Sequence, residues 1–404
     1  MNDAQISVYQ PGIVAVVVFT LLVLFICYLD GPLYALYDIT GGAVPPNLLI
    51  FPMLFLALAF WYVVGGHIRP EGFSRALLIA SFFLIWWLVQ TLFGISVYVL
   101  GYLQLATFVC LLPIVRAAFA TDHGQDLAVL LGRALLIVHY LFVSYIVLTF
   151  ALWHLTDTDI SIGFLLNPTP LPEFFDYRPS GLSREPALAA ITLATTYLGI
   201  YYLHPRKQTG ALIAMIVAFA FIRTGTSIIF LAVFLTFMAL EQREGKTRLG
   251  WTMFFGTAAV AVMSFVLWDR IGEVASLSDP SANMRLASIA IAFDVIWHDV
   301  LLGVGYGNFQ EYAAYGADFD NFIDLFRAVL YKSDLAILNL WAEMGVFGFL
   351  IAFLFASSFY HARALLLMIL PVLILVLAGG LLLPQLFALA AVAGVVDYRA
   401  CEDA

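Results

Sequence analysis

The amino-acid sequence predicts an all-α polytopic membrane protein with about 12 transmembrane helices. The first observation is compositional: 63% of the 404 residues are hydrophobic, only 11% are charged, and the mean hydropathy is +0.98. Soluble domains are about half apolar and about a quarter charged, so most of this chain needs lipid around it. The second observation is a series of long apolar runs, and the third is the alternating charge of the segments that connect them.

A membrane-spanning helix needs about 20 mostly apolar residues, and runs near that length recur along the whole chain. They lie at 12–29, 46–64, 76–93, 95–115, 127–153, 186–203, 208–222, 225–240, 249–268, 335–356, 364–381 and 384–397. The runs at 208–222 and 225–240 are short, which indicates one interrupted hairpin. No basic segment or small-residue cleavage site accompanies the first run, so we expect a retained anchor rather than a removed signal.

These runs divide the chain into regions. They are N-terminal transmembrane helices (1–153), a first outer-face loop (154–185), central transmembrane helices with the interrupted hairpin (186–268), a large outer-face loop with an amphipathic helix (269–334), and C-terminal transmembrane helices with a cytoplasmic tail (335–404).

Lysine and arginine are concentrated in one alternate set of connections, and connections of that kind face the cytoplasm. This set contains Arg69, Arg75, Arg116, Arg133, Arg206, Lys207, Arg243, Lys246, Arg248, Arg363 and Arg399. The alternation holds at every predicted crossing, and it places both termini in the cytoplasm. The other basic residues fall on the outer face: Arg178, Arg184, Arg223, Arg270, Arg285, Arg327 and Lys332. Arginine there opposes the insertion bias and is costly near lipid, so we expect an anion as its partner.

The first outer-face motif runs from Arg178 to Pro186 and includes Arg184 and Glu185. Pro186 suits the first turn of a helix, and Glu185 precedes it where the helix dipole favours a carboxylate. The motif is therefore either a helix start behind a salt-bridged loop or part of a binding site.

The second motif is the segment Arg223-Thr-Gly-Thr-Ser227, which separates the two short apolar runs. Irregular backbone at membrane depth is tolerated only where it lines a cavity or is buried in protein. Arginine beside small hydroxyl residues favours an oxyanion cradle, and a polar clasp between helices is the alternative.

The third motif combines a helix with a glycine-rich turn. Residues Met284–Asp299 have one apolar stripe at helical spacing, which predicts an amphipathic helix lying on the membrane surface with Arg285 near its start. The stripe contains Leu286, Ile289, Ala290, Phe293, Ile296 and Trp297. The turn contains Gly303, Gly305, Tyr306, Gly307 and Asn308. Glycines let backbone N–H groups approach an anion closely, although a plain turn explains them equally well.

The fourth motif is Lys332-Ser333-Asp334, directly before an apolar run that contains Glu343. A carboxylate at the outer mouth of a span suits a general base, and a helix N-cap is the alternative for Asp334. Glu343 lies farther into the run, so it needs a partner or a proton.

Several functional classes are disfavoured. The net charge of −9 excludes a nucleic-acid binder that works through a positive field. Cys27, Cys110 and Cys401 form no CxxC pair, and no HxxxH or HExxH pair is present, so we expect no metal site and no cofactor. No GxSxG nucleophile elbow is present, which disfavours a serine hydrolase.

The order and common sidedness of these motifs resemble the O-antigen ligase and Wzy-type polysaccharide polymerase superfamily over about residues 175–350. The motifs that carry the resemblance are Arg178 and Gly181 before Glu185-Pro186, Arg223-Thr-Gly, Arg285, Gly303-Val-Gly-Tyr-Gly-Asn-Phe309 and Glu343-Met-Gly345-Val-Phe-Gly348. The first half of the chain matches only as a stack of hydrophobic spans.

The resemblance implies a bacterial, metal-independent, inverting glycosyltransferase with a GT-C-like fold, placed in the inner membrane with a periplasmic active site. It implies donor and acceptor glycans carried on undecaprenyl diphosphate, with a chain-length regulator and a flippase as partner proteins. The family's arginines are thought to hold the diphosphate, a role that falls on Arg178, Arg223 and Arg285.

The resemblance also directs the choice of a base and of substrate contacts. Asp334 and Glu185 are the two candidates for the general base. The expected substrate-binding residues are Arg184, Ser227, Gly303, Gly305, Tyr306, Gly307, Asn308, Arg327 and Lys332.

One departure from the family bears on the reaction. Ligases usually carry a His-Asn pair before the span with the Glu-x-Gly motif, whereas this chain has Lys332-Ser333-Asp334-Leu335. Many polymerases have an acidic residue there, so the polymerase is favoured over a ligase that transfers glycan to lipid A core or to protein. A transporter or flippase is the alternative from another class. The two halves of the chain are unlike, and its polar residues are concentrated in the outer loops. Both observations disfavour a transporter or flippase.

Overall fold

The computed structural model describes residues 12–28, 51–52, 54–55, 67–161, 179–183, 185–241, 280–309, 311–312, 335–361, 364–377 and 383–402. Within these ranges the regular secondary structure is helical, and no strand occurs. The helices are α1 (Ile13–Val23, continued by a π-helical turn Leu24–Tyr28), α2 (Pro70–Leu92), α3 (Val99–Phe119), α4 (Asp122–Thr156), α5 (Pro186–Leu203), α6 (Gln208–Ile222), α7 (Gly225–Glu241), α8 (Pro280–His298), α9 (Ala336–Met344), α10 (Val346–Ser357), α11 (Leu366–Leu377) and α12 (Gln385–Glu402).

Five helical stretches in the described part are long and apolar enough to cross a membrane. They are Pro70–Leu92, Val99–Phe119, Asp122–Thr156, Pro186–Leu203 and Pro205–Ile222. The described part of the chain is therefore helical, as predicted, and consistent with a multi-pass membrane protein. The total of about 12 spans stays a prediction, because most of the predicted run 46–64 and all of 249–268 lie outside the described residues.

Residues 335–356, predicted as one span, form two helices in the structure. Gly345 separates α9 from α10 with φ 59° and ψ −146°, a conformation that L-residues avoid. A Cβ atom at Gly345 would lie 2.0 Å from the carbonyl oxygen of Leu301. The break therefore allows the backbone at Leu301 to approach closely. A hydropathy pattern does not reveal a contact of this kind.

The described helices belong to two compact units, and the first consists of Met1–Pro70, Val115–Ser227 and Pro384–Ala404. Its central helix is α4, which packs against α1, α5, α6 and α12. The ring of His139 on α4 contacts both arms of the α5–α6 hairpin, with Nδ1 2.8 Å from Thr196 Oγ1 and Nε2 3.0 Å from the Ala211 carbonyl oxygen. Phe150 and Phe221 stack with ring centroids 4.5 Å apart. The start of α5 and the end of α6 therefore lie beside the C-terminal half of α4.

The opposite end of this unit carries a network of charged and polar side chains. Arg116 forms a two-point ion pair with Asp397, with Nε 2.6 Å from Oδ2 and Nη2 2.9 Å from Oδ1. Arg399 donates to the Gln125 side chain at 3.2 Å, and the Tyr398 hydroxyl donates to Asp122. Basic residues predicted to be cytoplasmic thus gather at one end of the unit.

The second unit consists of Glu71–Ile114 and Ile228–Leu383. Its buried cluster joins α8 to α9 and contains Ile291, Ala292, Val295, Ile296, Phe309, Leu338 and Ala342. Helix α8 is present, as predicted, but the predicted single stripe divides between two surfaces. Phe293 and Trp297 are exposed, while Ile296 packs in the cluster beside Ala292 and Val295. An outward apolar face suits a helix at a membrane surface.

Candidate functional site

The predicted site residues are distributed over both units. Arg178, Arg184, Arg327, Lys332 and Asp334 lie outside the described residues. Arg285 lies in α8, where the backbone is described. Glu185, Arg223 and Ser227 belong to the first unit, and the turn from Gly303 to Asn308 belongs to the second.

Arg223 lies at the C-terminus of α6 in a left-handed conformation, with φ 50° and ψ 46°. Its backbone N–H donates to the Phe219 carbonyl at 3.1 Å, which closes the last turn of the helix. A non-glycine residue in this region costs about 1–2 kcal/mol. The guanidinium Nε is buried and has no hydrogen-bond partner among the described residues. The first unit therefore holds a cation in a strained position, with one buried N–H that has no partner among the described residues.

The residues after Arg223 form a hydroxyl cap. Thr224 Oγ1 lies 2.8 Å from Ser227 Oγ, and the Ser227 N–H donates to the same Thr224 oxygen at 3.3 Å. Both side chains are buried. These contacts form a local N-terminal cap for α7, and the alternative of a clasp between helices stays a prediction. Thr224 was missed as a key residue, although a threonine directly before a predicted span is a recognisable cap signal.

Glu185 is the N-cap residue of α5, with Pro186 in the first turn, so the predicted helix start is confirmed. Its side chain is exposed and makes no capping hydrogen bond. Ser183, two residues earlier, is fully buried, and its hydroxyl has no hydrogen-bond partner among the described residues. Ser183 was not singled out from the sequence, where it is one of many serines.

Glu185 and Arg223 lie at the same end of the first unit. Glu185 precedes α5 and Arg223 follows α6, and the two helices form a hairpin around the short turn Pro205–Lys207. That end is opposite to the ion pair between Arg116 and Asp397, because Arg116 precedes the start of α4 and Asp397 lies near the end of α12. The hairpin therefore brings one carboxylate and one arginine from different motifs to a common surface.

In the second unit, the glycine-rich turn is paired with the break between α9 and α10. The N–H of Val304 donates to the Ala342 carbonyl at 2.9 Å, and that of Gly305 donates to the Glu343 carbonyl at 3.0 Å. The N–H of Gly303 donates to the backbone carbonyl of Asp299 at 3.1 Å. These three groups are thus paired within the protein. The predicted role of Gly303 and Gly305 in substrate binding stays a prediction.

Packing explains why glycine occupies all three positions of the turn. Gly303, Gly305 and Gly307 have φ angles of 72°, 92° and 89°. A Cβ atom would lie 2.5 Å from Gly345 N at the first position and 2.0 Å from the Ser96 carbonyl oxygen at the second. The turn is therefore wedged between α9 and the connection between α2 and α3.

Tyr306 and Asn308 anchor the same turn. The Tyr306 ring packs edge-on against Tyr102 with centroids 5.9 Å apart, and its carbonyl accepts from the Tyr98 N–H at 2.8 Å. Burial raises the pKa of the Tyr306 phenol, and the nearby Glu343 carboxylate raises that pKa further. The phenol therefore stays protonated and can donate a hydrogen bond. The Asn308 amide donates to the Ser96 carbonyl at 2.6 Å.

In the described ranges, no three His, Cys, Asp or Glu side chains come together as candidate metal ligands. The cysteines Cys27, Cys110 and Cys401 are free. A reaction without metal or cofactor stays a prediction.

Residues 181–353 match a family model described as O-antigen ligase. The match begins at Gly181, ends within α10 and contains Glu185, Arg223, Arg285 and the glycine-rich turn. Its extent agrees with the motifs picked out from the sequence. No curated protein matches the chain.

Proposed function

We propose, from the match of residues 181–353 to a family model described as O-antigen ligase, that this chain polymerises lipid-linked glycans. Members of the superfamily are glycosyltransferase-like enzymes that act on glycans. The proposed substrates are oligosaccharide repeat units on undecaprenyl diphosphate, joined on the periplasmic face of the bacterial inner membrane. The products would be O-antigen or exopolysaccharide chains.

The observation that carries this proposal is Arg223. Its left-handed backbone is a cost that the fold sustains, and its Nε has no hydrogen-bond partner in the described part of the chain. Strain of this kind clusters at functional sites. A guanidinium with free donors binds phosphate oxygens through charge-assisted hydrogen bonds. We infer that the guanidinium of Arg223 binds an oxygen of the diphosphate.

The second unit supports the same proposal through the direction of two helices. Helix α8 ends just before the glycine-rich turn, and the last turn of α9 accepts hydrogen bonds from it. The C-terminal ends of the two helices therefore lie together, at the glycine-rich turn. Arg285 lies near the N-terminus of α8, and Asp334 is the chain neighbour of Leu335, the N-cap of α9. We infer a diphosphate ligand and a base from these two positions.

The proposed reaction is an inverting transfer. The acceptor hydroxyl oxygen forms a bond to the anomeric carbon while the bond from that carbon to the diphosphate oxygen breaks on the opposite face. The electron pair goes to the diphosphate, where arginines stabilise the growing charge. The hydroxyl proton goes to a carboxylate, either Asp334 or Glu185. Undecaprenyl diphosphate leaves, and the glycan is longer by one repeat unit.

Polymerisation is preferred to ligation because of the segment before α9. The histidine usual in ligases is replaced by Lys332-Ser333-Asp334. A ligase or a protein O-oligosaccharyltransferase that uses the same donor is the second candidate, since the matched family model is described as O-antigen ligase.

The test uses the purified protein, a lipid-diphosphate-linked repeat unit from its host and chelator in place of added metal. A polymerase produces a ladder of lipid-linked oligomers on a gel, confirmed by mass spectrometry. Transfer to an added lipid A core or protein acceptor without a ladder would establish the ligase instead. Absence of both products under conditions where the repeat unit is bound would reject both enzymes.

A further inference from the structure

Helix α2 contains one polar residue that its surroundings do not explain. Most of the helix is apolar and exposed, as expected for a helix that faces lipid. Gln90, near its C-terminus, is fully buried. A buried amide needs hydrogen-bond partners, because an unpaired polar group costs free energy in an apolar environment.

The Gln90 side chain donates to two separate backbone segments. Its Nε2 lies 2.8 Å from the carbonyl oxygen of Leu302 and 3.1 Å from that of Glu343. Leu302 belongs to the turn that follows α8, and Glu343 belongs to the last turn of α9. One amide group therefore joins the ends of both helices to α2.

Gln90 works together with the connection between α2 and α3. The Ser96 carbonyl and hydroxyl accept from the Asn308 amide at 2.6 and 2.9 Å, and the Tyr98 N–H donates to the Tyr306 carbonyl. We name Gln90, Ser96 and Tyr98 the α2–α3 platform. All three residues precede the segment 181–353 that carries the family match.

The amide of Gln90 is only half satisfied. Its Oε1 is buried and has no hydrogen-bond partner in the described ranges. An apolar side chain of the same length would remove this uncompensated acceptor, but it would also take away the Nε2 donor of the Leu302 carbonyl. The Glu343 carbonyl, moreover, also accepts from the Gly305 N–H. What only the glutamine supplies is a common anchor for the two backbone segments.

We propose that Gln90 is a positioning residue for glycan transfer, acting through the ends of α8 and α9. Both helices end at this anchor, and in the sequence Arg285 lies near the start of α8 and Asp334 directly before α9. A loosened anchor therefore shifts the proposed diphosphate ligand relative to the proposed base. This inference rests on the proposed function, and it assigns a role to the part of the chain without a family match.

The test compares Gln90→Met with Thr91→Val, both in the full-length protein in nanodiscs. Thr91 is the matched control because it is adjacent, exposed and bonded only within its own helix, to the Trp87 carbonyl at 2.8 Å. Amide hydrogen exchange is measured first. We expect exchange in 301–308 to rise by about tenfold in Gln90→Met, with the α5–α6 hairpin unchanged. Thr91→Val should match the wild type throughout.

Turnover of the lipid-linked repeat unit is measured next. A positioning role predicts a kcat about tenfold lower in Gln90→Met, with the KM for the donor within about twofold of wild type. If Gln90→Met does not fold, Gln90→Glu replaces it. A buried glutamic acid keeps one donor, so its exchange and kcat should fall between those of wild type and the expected methionine values.

Two results would overturn the inference. One is unchanged exchange in 301–308 in the variants, and the other is a kcat equal to that of Thr91→Val despite faster exchange. A wild-type protein that makes no product rejects the proposed function instead, and the exchange measurement then still decides whether Gln90 anchors the turn.

Discussion

The backbone N–H of Gly305 donates a hydrogen bond of 3.0 Å to the carbonyl oxygen of Glu343. This contact ties the turn after α8 to the break between α9 and α10. The packing around this contact requires glycine at two positions, Gly305 and Gly345. A Cβ atom at Gly345 would lie 2.0 Å from the Leu301 carbonyl oxygen, and one at Gly305 would lie 2.0 Å from the Ser96 carbonyl oxygen. The glycine-rich motif is thus first a motif of backbone packing.

Gly305→Ala should destabilise the protein. The positive φ disfavours alanine, and the added methyl group overlaps the Ser96 carbonyl, so we expect a loss of about 3 kcal/mol and of glycan transfer. Thermal unfolding in detergent and the gel assay measure both effects. Gly210→Ala is the control, because it lies in α6 and its Cβ atom would meet only the Tyr140 hydroxyl, at 3.1 Å. Equal unfolding temperatures for the two variants would contradict this account.

Arg223→Gly should separate activity from stability. Glycine accepts the left-handed backbone, so stability should stay the same or rise by about 1 kcal/mol. Loss of the guanidinium should lower transfer by about 100-fold, as expected for a group that stabilises the leaving diphosphate. The measurements are thermal unfolding and the initial rate of oligomer formation.

Asp157→Gly is the matched control for this variant. Asp157 is the other non-glycine residue with positive φ in the described part of the chain, at 53°, and it follows the last residue of α4. Its replacement should relieve similar strain and preserve the rate of transfer. Arg223→Gly with wild-type turnover would rule out the diphosphate role.

Stability should decrease in mild acid because of His204. Partial burial lowers the pKa of this imidazole, and the cations Arg133 and Lys207 lower that pKa further. As the pH falls, the unfolded chain therefore binds the proton first, at about pH 6.5. The contribution of the neutral His204 imidazole to stability is complete above that pH and is lost as the pH falls. Unfolding temperatures from pH 5 to 8 should show a shallower slope for His204→Gln. The exposed His123→Gln should keep the wild-type slope, and the same slope in all three proteins would contradict the assignment.

Asp397→Asn should loosen α12 from α3. The ion pair with Arg116 has two short contacts and little solvent exposure, so its loss should cost about 2 kcal/mol. Thermal unfolding measures the cost. The control is Asp126→Asn, which removes an exposed carboxylate in α4. This variant should change the unfolding temperature little.

Some parts of the fold are predictable from the sequence because local signals coincide. Helices α5 and α6 begin and end where predicted, since Pro186 starts one and Arg223 ends the other. The interruption at Arg223 was predicted because the apolar runs on either side of it are short for membrane spans. The left-handed backbone of this residue was not, since no pattern in the sequence encodes it.

Other parts depend on contacts between segments far apart in the chain. The break at Gly345 was not predicted, because apolar residues continue on both sides and its cause is the Leu301 carbonyl. Gln90 was not predicted as a contact of the turn, since one glutamine in an apolar run carries no periodic signal. The glycine-rich turn was predicted, but its wedged position against Ser96 requires the folded chain.

The central claim is that this protein releases undecaprenyl diphosphate as it forms glycosidic bonds. The most direct measurement counts both products from purified protein in proteoliposomes, with a labelled lipid-linked repeat unit and chelator present. The account predicts one undecaprenyl diphosphate released per bond formed, with both products about 100-fold lower in Arg223→Gly and at the wild-type level in Asp157→Gly. Intact repeat units recovered on the opposite side of the bilayer, with no undecaprenyl diphosphate released, would contradict the claim and establish a transporter.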